Sequence, residues 1–155
     1  MTARPEDLIA LALTEAAAAG RAGEIPIGAV VLDPSGRIVG RGGNEREAAV
    51  DPTAHAEVLA IRRAATALGD RRLTGCTLAV TLEPCPMCAG AIILARVDKV
   101  VFGAWNDDYG AAGSRWDLLR DRRWGHRPEV IAGVRAVECG AMVQEFLAHR
   151  RAEGR

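Results

Sequence analysis

The stretch DPTAHAEVLAIRRA, residues 51–64, decides the fold. Its apolar residues recur at helical spacing, and His55 and Glu57 stand at the start of that helix. Residues two apart point about 200° away from each other around an ideal helix, so they cannot share a site beside it. Side chains lean toward the helix N-terminus, however, so two residues of the first turn can straddle an ion beyond the helix end. The spacing therefore predicts a target off the tip of the helix.

A second stretch, TLEPCPMC at residues 81–88, supplies partners for that target. Cys85 and Cys88 are three apart, so they share one face of a helix in which Pro86 stands near the first position. The partial positive charge of a helix N-terminus lowers a cysteine pKa and favours the thiolate, which is the form that binds zinc. Together with His55, the two cysteines predict a zinc site built from two helix starts.

The number of ligands indicates the type of zinc site. A structural zinc has four protein ligands, whereas His55, Cys85 and Cys88 make only three. Two thiolates and a neutral imidazole balance the charge of Zn²⁺ and leave the fourth position for water, whose pKa zinc can lower to about 7. Glu57 is the expected proton shuttle beside that water, because as a ligand it would close the site.

The other cysteines and histidines are expected to lie outside the site. Cys76 and Cys139 are expected to pack in the core, and His126 and His149 are expected at the surface. A fourth zinc ligand from among these four residues is the alternative.

Composition bounds the class of protein. The 155 residues predict a single domain, residues 1–155, and the hydrophobic fraction of 49% argues against disorder. The 20 basic and 20 acidic residues cancel, which argues against a strongly cationic nucleic-acid module but not against a local basic patch. No segment reaches the roughly 18 apolar residues of a membrane span, and the N-terminus lacks the order of a signal peptide. A cytoplasmic location with reduced thiols is therefore expected.

Strands alternate with helices along the chain, which predicts an α/β layered domain. Helices are predicted near 5–20, 53–68 (capped by Asp51 or Thr53), 86–95 and 134–151, with a short one at 116–123. Strands are predicted in IPIGAVVL and at 38–39, which form a hairpin with its first strand buried on both faces, and then in CTLAVTL and DKVVFGA. PEVIAG is expected at a sheet edge, because Pro128 cannot donate to a ladder. The final helix is expected to present one apolar face, made of Cys139, Met142, Val143, Phe146 and Leu147.

The combination of H-x-E with P-C-x-x-C resembles the signature of zinc nucleobase deaminases. The chain is similar to the bacterial tRNA-specific adenosine deaminases of the cytidine-deaminase-like superfamily through IPIGAVV, GNEREAAVDPTAHAEVLAIR, TLEPCPMCAGAI, VVFGA, GAAGS, HRPEVIAGV and the C-terminal EC…F…RR. The resemblance implies a three-layer α/β/α fold with a five-stranded mixed sheet, a homodimer, and conversion of the wobble adenosine of a tRNA anticodon loop to inosine. It also implies that His55, Cys85 and Cys88 bind Zn²⁺, that Glu57 shuttles protons, and that Asn44 hydrogen-bonds the base.

The chain departs from the family pattern after VVFGA. Family members usually continue with Arg-Asp and then a Lys, where this sequence has Trp105, Asn106, Asp107, Asp108 and Tyr109. The two aspartates put negative charge where an RNA backbone is expected. The two aromatic residues either stack on bases or pack within the fold. These changes bear on the RNA substrate more than on the chemistry.

Two alternatives therefore stay open beside the tRNA deaminase. One is a deaminase of a free base or nucleoside, such as guanine, cytosine or cytidine. The other is a non-catalytic RNA-binding module with a structural zinc, against which the complete H-x-E argues, since such a site needs no Glu57. RNA is favoured by a series of arginines in the last third of the chain: Arg115, Arg120, Arg122, Arg123, Arg127, Arg150, Arg151 and Arg155.

Overall fold

The computed structural model describes residues 3–155, which form four helices and five strands. Pro5 opens the first helix and Glu6 and Asp7 lie in its first turn, where negative charge favours a helix start. The elements in chain order are α1 (Pro5–Arg21), β1 (Gly28–Leu32), β2 (Ile38–Gly43), α2 (Ala56–Leu68), β3 (Thr77–Leu82), α3 (Pro86–Leu94), β4 (Lys99–Ala104), β5 (Glu129–Ile131) and α4 (Ala136–Ala152).

The strands form one mixed sheet in the order β2-β1-β3-β4-β5. β1 pairs antiparallel with both β2 and β3, whereas β3, β4 and β5 run parallel. Parallel neighbours need a crossover connection, which α3 provides between β3 and β4. All five residues of β1 are buried, and β5 lies at the sheet edge next to Pro128. The predicted hairpin, the doubly buried first strand and the edge strand are confirmed.

Helices cover both faces of the sheet, as the predicted three-layer α/β/α architecture requires. α2 and α3 pack on one face, in a core that includes Ala60, Ile92, Val80 and Phe102. On the other face, α1 and α4 contribute to a second core whose members include Leu8, Ile9, Leu13, Val30, Val101 and Cys139. Each strand buries side chains on alternating faces, so the sheet separates the two apolar clusters.

The start of α2 differs from the prediction. The helix begins at Ala56 and not near Thr53, and neither Asp51 nor Thr53 caps it; the N-cap residue is His55. The Asp51 carboxylate instead accepts hydrogen bonds from the Thr53 N–H at 2.8 Å and the Thr53 hydroxyl at 2.7 Å. This short turn satisfies the aspartate before the helix starts, so its carboxylate does not bond the first N–H groups of α2.

The predicted short helix at 116–123 is wrong. Its backbone N–H groups bond to the preceding segment: Trp116 donates to the Gly110 carbonyl at 3.0 Å and Leu118 donates to the Ala111 carbonyl at 2.9 Å. An isolated β-bridge joins Ala112 to Asp117. The bridge at Asp117 requires extended backbone, which is incompatible with a continuous helix through this segment.

One expectation about a side chain needs correction. His126 was expected at the surface, but its side chain is half-buried. Its Nε2 atom lies 2.6 Å from the carbonyl oxygen of Val97, a contact that holds the ring against the fold. On α4, Cys139 is the buried member of the predicted apolar face, and the other four members are only half-buried. Cys76 and Cys139 are both 1% exposed, and His149 is exposed, as predicted.

A candidate metal centre at two helix starts

The N-termini of α2 and α3 meet at one end of the sheet. His55 is the N-cap residue of α2 and Cys85 is the N-cap residue of α3, and their carbonyls accept the first helical N–H groups. Cys85 comes shortly after β3 ends, so it lies at the C-terminal end of the central strand. At Gly42 on β2, a Cβ atom would collide with the carbonyl oxygen of Ala56. Glycine there lets the first turn of α2 lie directly against the sheet.

The three predicted ligand residues lie together. The His55 Nδ1 atom is 3.6 Å from the Cys85 sulfur and 3.5 Å from the Cys88 sulfur. All three ligand atoms lie within 4.8 Å of one another, and residues 3–155 contain no other such group of three or more His, Cys, Asp or Glu. A tetrahedral zinc with Zn–S near 2.3 Å and Zn–N near 2.05 Å places nitrogen and sulfur about 3.6 Å apart. The donor set and its spacing therefore fit zinc.

The two thiols are electrostatically coupled. A hydrogen bond from Cys88 lowers the pKa of Cys85 to about 4, with a smaller contribution from His55. The same pairing, together with burial, raises the pKa of Cys88. Without a cation the pair therefore retains one proton. A divalent ion at this position favours two thiolates and displaces that proton.

Glu57 lies in the first turn of α2, beside the three ligands but not among them. It is 4% exposed, and burial raises the pKa of its carboxyl group. A buried carboxyl group with a raised pKa is suited to taking up and releasing a proton during a reaction.

A cavity of about 510 Å³ opens in front of these residues, a size typical of small-molecule sites. Asn44 follows β2 at its wall and is 5% exposed. Its Oδ1 atom accepts the Arg46 N–H at 3.3 Å, and the structure assigns its NH₂ group no partner within residues 3–155. The cavity is lined by Ile25, Ile27, Asn44, Arg46, His55, Ala56, Glu57, Leu82, Glu83, Cys85, Pro86, Met87, Asn106 and Tyr109.

The structure separates the two aromatic residues that follow β4. Trp105 packs edge-on against Phe102, with ring centroids 5.0 Å apart and planes at 84°. Tyr109 is 66% exposed and lines the cavity. The sequence analysis left open whether each ring stacks on bases or packs within the fold. Trp105 packs within the fold, whereas Tyr109 lies at the cavity. Asp107 and Asp108 lie in the exposed turn between them.

Two buried carboxylates near the cavity escaped the sequence analysis. Glu83 is 1% exposed and Glu24 is 3% exposed. The Glu24 carboxylate accepts the N–H groups of Glu47 and Ala48, at 3.1 and 2.8 Å, in the loop after Asn44. Each of these residues stands next to an apolar strand in the sequence, and that position could have indicated a buried acid. A buried acidic residue almost always has hydrogen-bonding or charged partners, so such a position also predicts partners elsewhere in the chain.

The sequence of the chain is similar to a family model and to several known proteins. Residues 2–104 match the family model described as the cytidine and deoxycytidylate deaminase zinc-binding region. A tRNA-specific adenosine deaminase of Bacillus subtilis (strain 168) is 49% identical over 140 residues, which is 90% of this chain and 86% of the relative. A tRNA(Ile)-lysidine synthase of Deinococcus deserti is 48% identical over 96% of this chain, but the chain spans only 28% of that relative.

Solved structures agree with the fold. A structure described as "Biochemical and Structural Studies of A-to-I Editing by tRNA:A34 Deaminases at the Wobble Position of Transfer RNA" matches with a TM-score of 0.83 and 42% identity, covering 88% of this chain and 98% of that one. A guanine deaminase from Nitrosomonas europaea matches with a TM-score of 0.80 and 27% identity, covering 96% of this chain and 87% of that one. Within residues 3–155, the helices are too short or too polar to cross a membrane.

Proposed function

The chain belongs to the cytidine and deoxycytidylate deaminase family of zinc-binding hydrolytic deaminases, and we propose that it converts the wobble adenosine of a tRNA anticodon loop to inosine. The observation that carries the proposal is the grouping of His55, Cys85 and Cys88 with a buried Glu57 at the end of one cavity. This arrangement offers three metal ligands and one acid, which suits hydrolysis and not a closed structural site.

In this proposal His55, Cys85 and Cys88 hold the zinc. When bound, zinc supplies Lewis-acid chemistry that makes water a nucleophile at neutral pH. The His55 Nδ1 atom faces both sulfurs, so this nitrogen is the histidine ligand. The N-cap position of Cys85 on α3 favours the thiolate, which is the form that binds a metal ion.

Glu57 moves the protons. It accepts one proton from the attacking water, whose oxygen bonds to C6 of adenine, and passes it to the adjacent ring nitrogen. It then transfers the second water proton to the departing amino group, which leaves as ammonia. Its burial and raised pKa suit both directions of transfer. Asn44 orients the base through its side-chain amide, because the NH₂ group is free to donate to a ring nitrogen of adenine.

RNA is the proposed substrate because Arg46 lines the cavity and further arginines are exposed elsewhere on the surface, where they can contact phosphates. Arg120 and Arg123 are paired with Asp117 and Asp121, so their charges are partly compensated. Others are exposed and carry no carboxylate partner among residues 3–155: Arg115, Arg122, Arg127 and Arg151. A base in a single-stranded loop is easier to extrude into a pocket than a base in a duplex.

We also propose a homodimer and a cytoplasmic location. Leu94 and Val137 are 72% and 88% exposed, and the outer face of α4 is only half-buried in the single chain. Light scattering at micromolar concentration should give twice the chain mass of 16.4 kDa. A species of one chain mass would contradict the dimer.

Ammonia release decides between substrates. The purified zinc-loaded protein is tested with an anticodon stem-loop, guanine, cytosine and cytidine. Turnover of the stem-loop with inosine at the wobble position is the expected result. Robust turnover of guanine without any turnover of RNA would favour the second candidate, a free-base deaminase, which the structural match to a guanine deaminase supports.

A further inference from the structure

Glu83 lies between the end of β3 and Cys85, and its carboxylate accepts three backbone N–H groups. One oxygen accepts the N–H of Asn106 at 3.0 Å. The other oxygen accepts the N–H groups of Ala112 at 2.9 Å and Ser114 at 3.0 Å. These donors are 23 to 31 residues away in sequence and belong to one irregular segment, the Asn106–Ser114 loop. A single buried side chain therefore holds the loop at three points.

The loop closes tightly around this carboxylate. Gly110 and Ser114 both donate to the Asn106 carbonyl, at 2.7 and 2.9 Å. Ala111 donates to the carbonyl of Pro84 at 2.8 Å, which attaches the loop to the turn that carries Cys85. A Cβ atom on Gly110 would collide with the Glu83 carboxylate and the Ser114 hydroxyl. The chain can approach the carboxylate this closely only because residue 110 is glycine.

The loop forms one wall of the cavity through two of its residues. Asn106 and Tyr109 line the cavity, and the Asn106 side chain accepts the N–H of Tyr109 at 3.1 Å. Tyr109 presents an exposed aromatic ring beside the space for the reacting base. Single-stranded RNA is commonly recognised by stacking bases on such rings.

We propose that Glu83 is a positioning residue for substrate recognition: it fixes the Asn106–Ser114 loop so that Tyr109 stacks on a nucleotide next to the one in the cavity. This rests on the proposed RNA substrate. The loop lacks regular structure, so without the carboxylate its three N–H groups turn to water and the ring samples many positions. Ordering the loop in advance removes a cost that substrate binding would otherwise carry.

The test compares Glu83→Gln with Tyr109→Ala and the double variant, using an anticodon stem-loop as substrate. An amide nitrogen cannot accept an N–H, so Glu83→Gln loses at least one of the three bonds. Each single variant should raise KM about tenfold, the size expected for one lost base stack, with kcat and zinc content within about twofold of wild type. The double variant should match the single ones, because both changes remove the same contact.

The matched control is Asp33→Asn. Asp33 also accepts backbone N–H groups, from Ser35 at 2.9 Å and Arg37 at 3.0 Å, in the β1–β2 turn at the opposite end of β1 from the cavity. Its variant should lower thermal stability comparably but leave KM unchanged. An equal rise of KM in Asp33→Asn would show general destabilisation and overturn the proposal. Multiplying KM effects in the double variant would overturn it as well.

Hydrogen exchange without substrate tests the loop independently of the RNA assignment. Glu83→Gln should expose the N–H groups of Asn106, Ala112 and Ser114 to exchange at least about tenfold faster, while β1 and α3 keep their protection. Unchanged exchange in the loop would overturn the proposal. Gly110→Ala, which pushes the loop away from an intact Glu83, should reproduce the faster exchange even if Glu83→Gln does not fold. Failure of the wild type to act on RNA would contradict the proposed function instead.

Discussion

The start of α2 and the end of β3 each place a buried carboxylate at the same cavity, but the two acids have opposite surroundings. Glu57 is 4% exposed, and its burial raises the pKa of its carboxyl group. Glu83 is 1% exposed and accepts three N–H groups from a distant loop. A carboxylate held by several backbone N–H donors acts as a fixed anchor, whereas a buried carboxyl group with a raised pKa can exchange protons. Burial alone therefore does not distinguish a reactive acid from a positioning one.

The largest expected effect on turnover comes from removing a proposed zinc ligand. Cys88→Ala should lose both zinc and turnover, because two ligands do not retain a catalytic zinc at neutral pH. Elemental analysis should show far less than one zinc per chain, and ammonia release should fall below detection. Cys76→Ala is the control, since that buried thiol lies outside the ligand group. Full zinc occupancy in Cys88→Ala would contradict the ligand assignment.

Glu57→Gln isolates proton transfer from metal binding. The variant should keep one zinc per chain and lose about 10³-fold or more in kcat, within the range general acid–base groups supply. Single-turnover rates on an anticodon stem-loop, with zinc measured on the same sample, check both halves. Loss of the metal in this variant would show that Glu57 is a ligand and would remove the contrast with Glu83.

The free energy of unfolding should depend more on Glu83 than on Glu57, the reverse of the order expected for kcat. Glu83→Gln leaves a buried N–H facing an amide nitrogen and should cost about 1–3 kcal/mol of unfolding free energy. Glu57→Gln removes a buried carboxyl whose ionisation is disfavoured, so metal-free protein should be unchanged or slightly more stable. Urea unfolding of both variants after chelation gives the comparison. Equal destabilisation would mean that both carboxylates act mainly as anchors.

The smallest effect concerns the turn that the Glu83-held loop presents to solvent. Replacing Asp107 and Asp108 with Lys should tighten stem-loop binding if an RNA backbone passes nearby. Each new phosphate contact should then steepen the log–log salt dependence by about 0.7. Binding titrations from low to moderate salt measure the slope, and Asp70→Lys, in the turn after α2, is the control. An identical slope would place the aspartates away from the RNA.

Much of the fold followed from local patterns. The periodicity of α1, α2 and α3, the doubly buried β1 and the edge position of β5 were all predicted, because each depends on apolar spacing or on the missing N–H of Pro128. The errors lie where a residue forms a hydrogen bond or bridge other than the one its local pattern predicts. The segment 116–123 bonds back to 110–111 and forms no helix, and Asp51 bonds Thr53 without capping α2.

The sequence by itself predicted the proposed metal-ligand set, and the structure brings its three residues together. His55, Glu57, Cys85 and Cys88 fall at two helix starts, and their spacing within each helix is a local property that residue identity reveals. The tertiary structure alone decided that Glu83 anchors a loop, that Trp105 packs while Tyr109 faces the cavity, and that His126 is half-buried against Val97. The hydrogen bonds of Glu83 and His126 join residues that are 23 to 31 positions apart. No local pattern specifies which distant backbone group will meet a given side chain, because that is fixed only when the strands pair and the layers close.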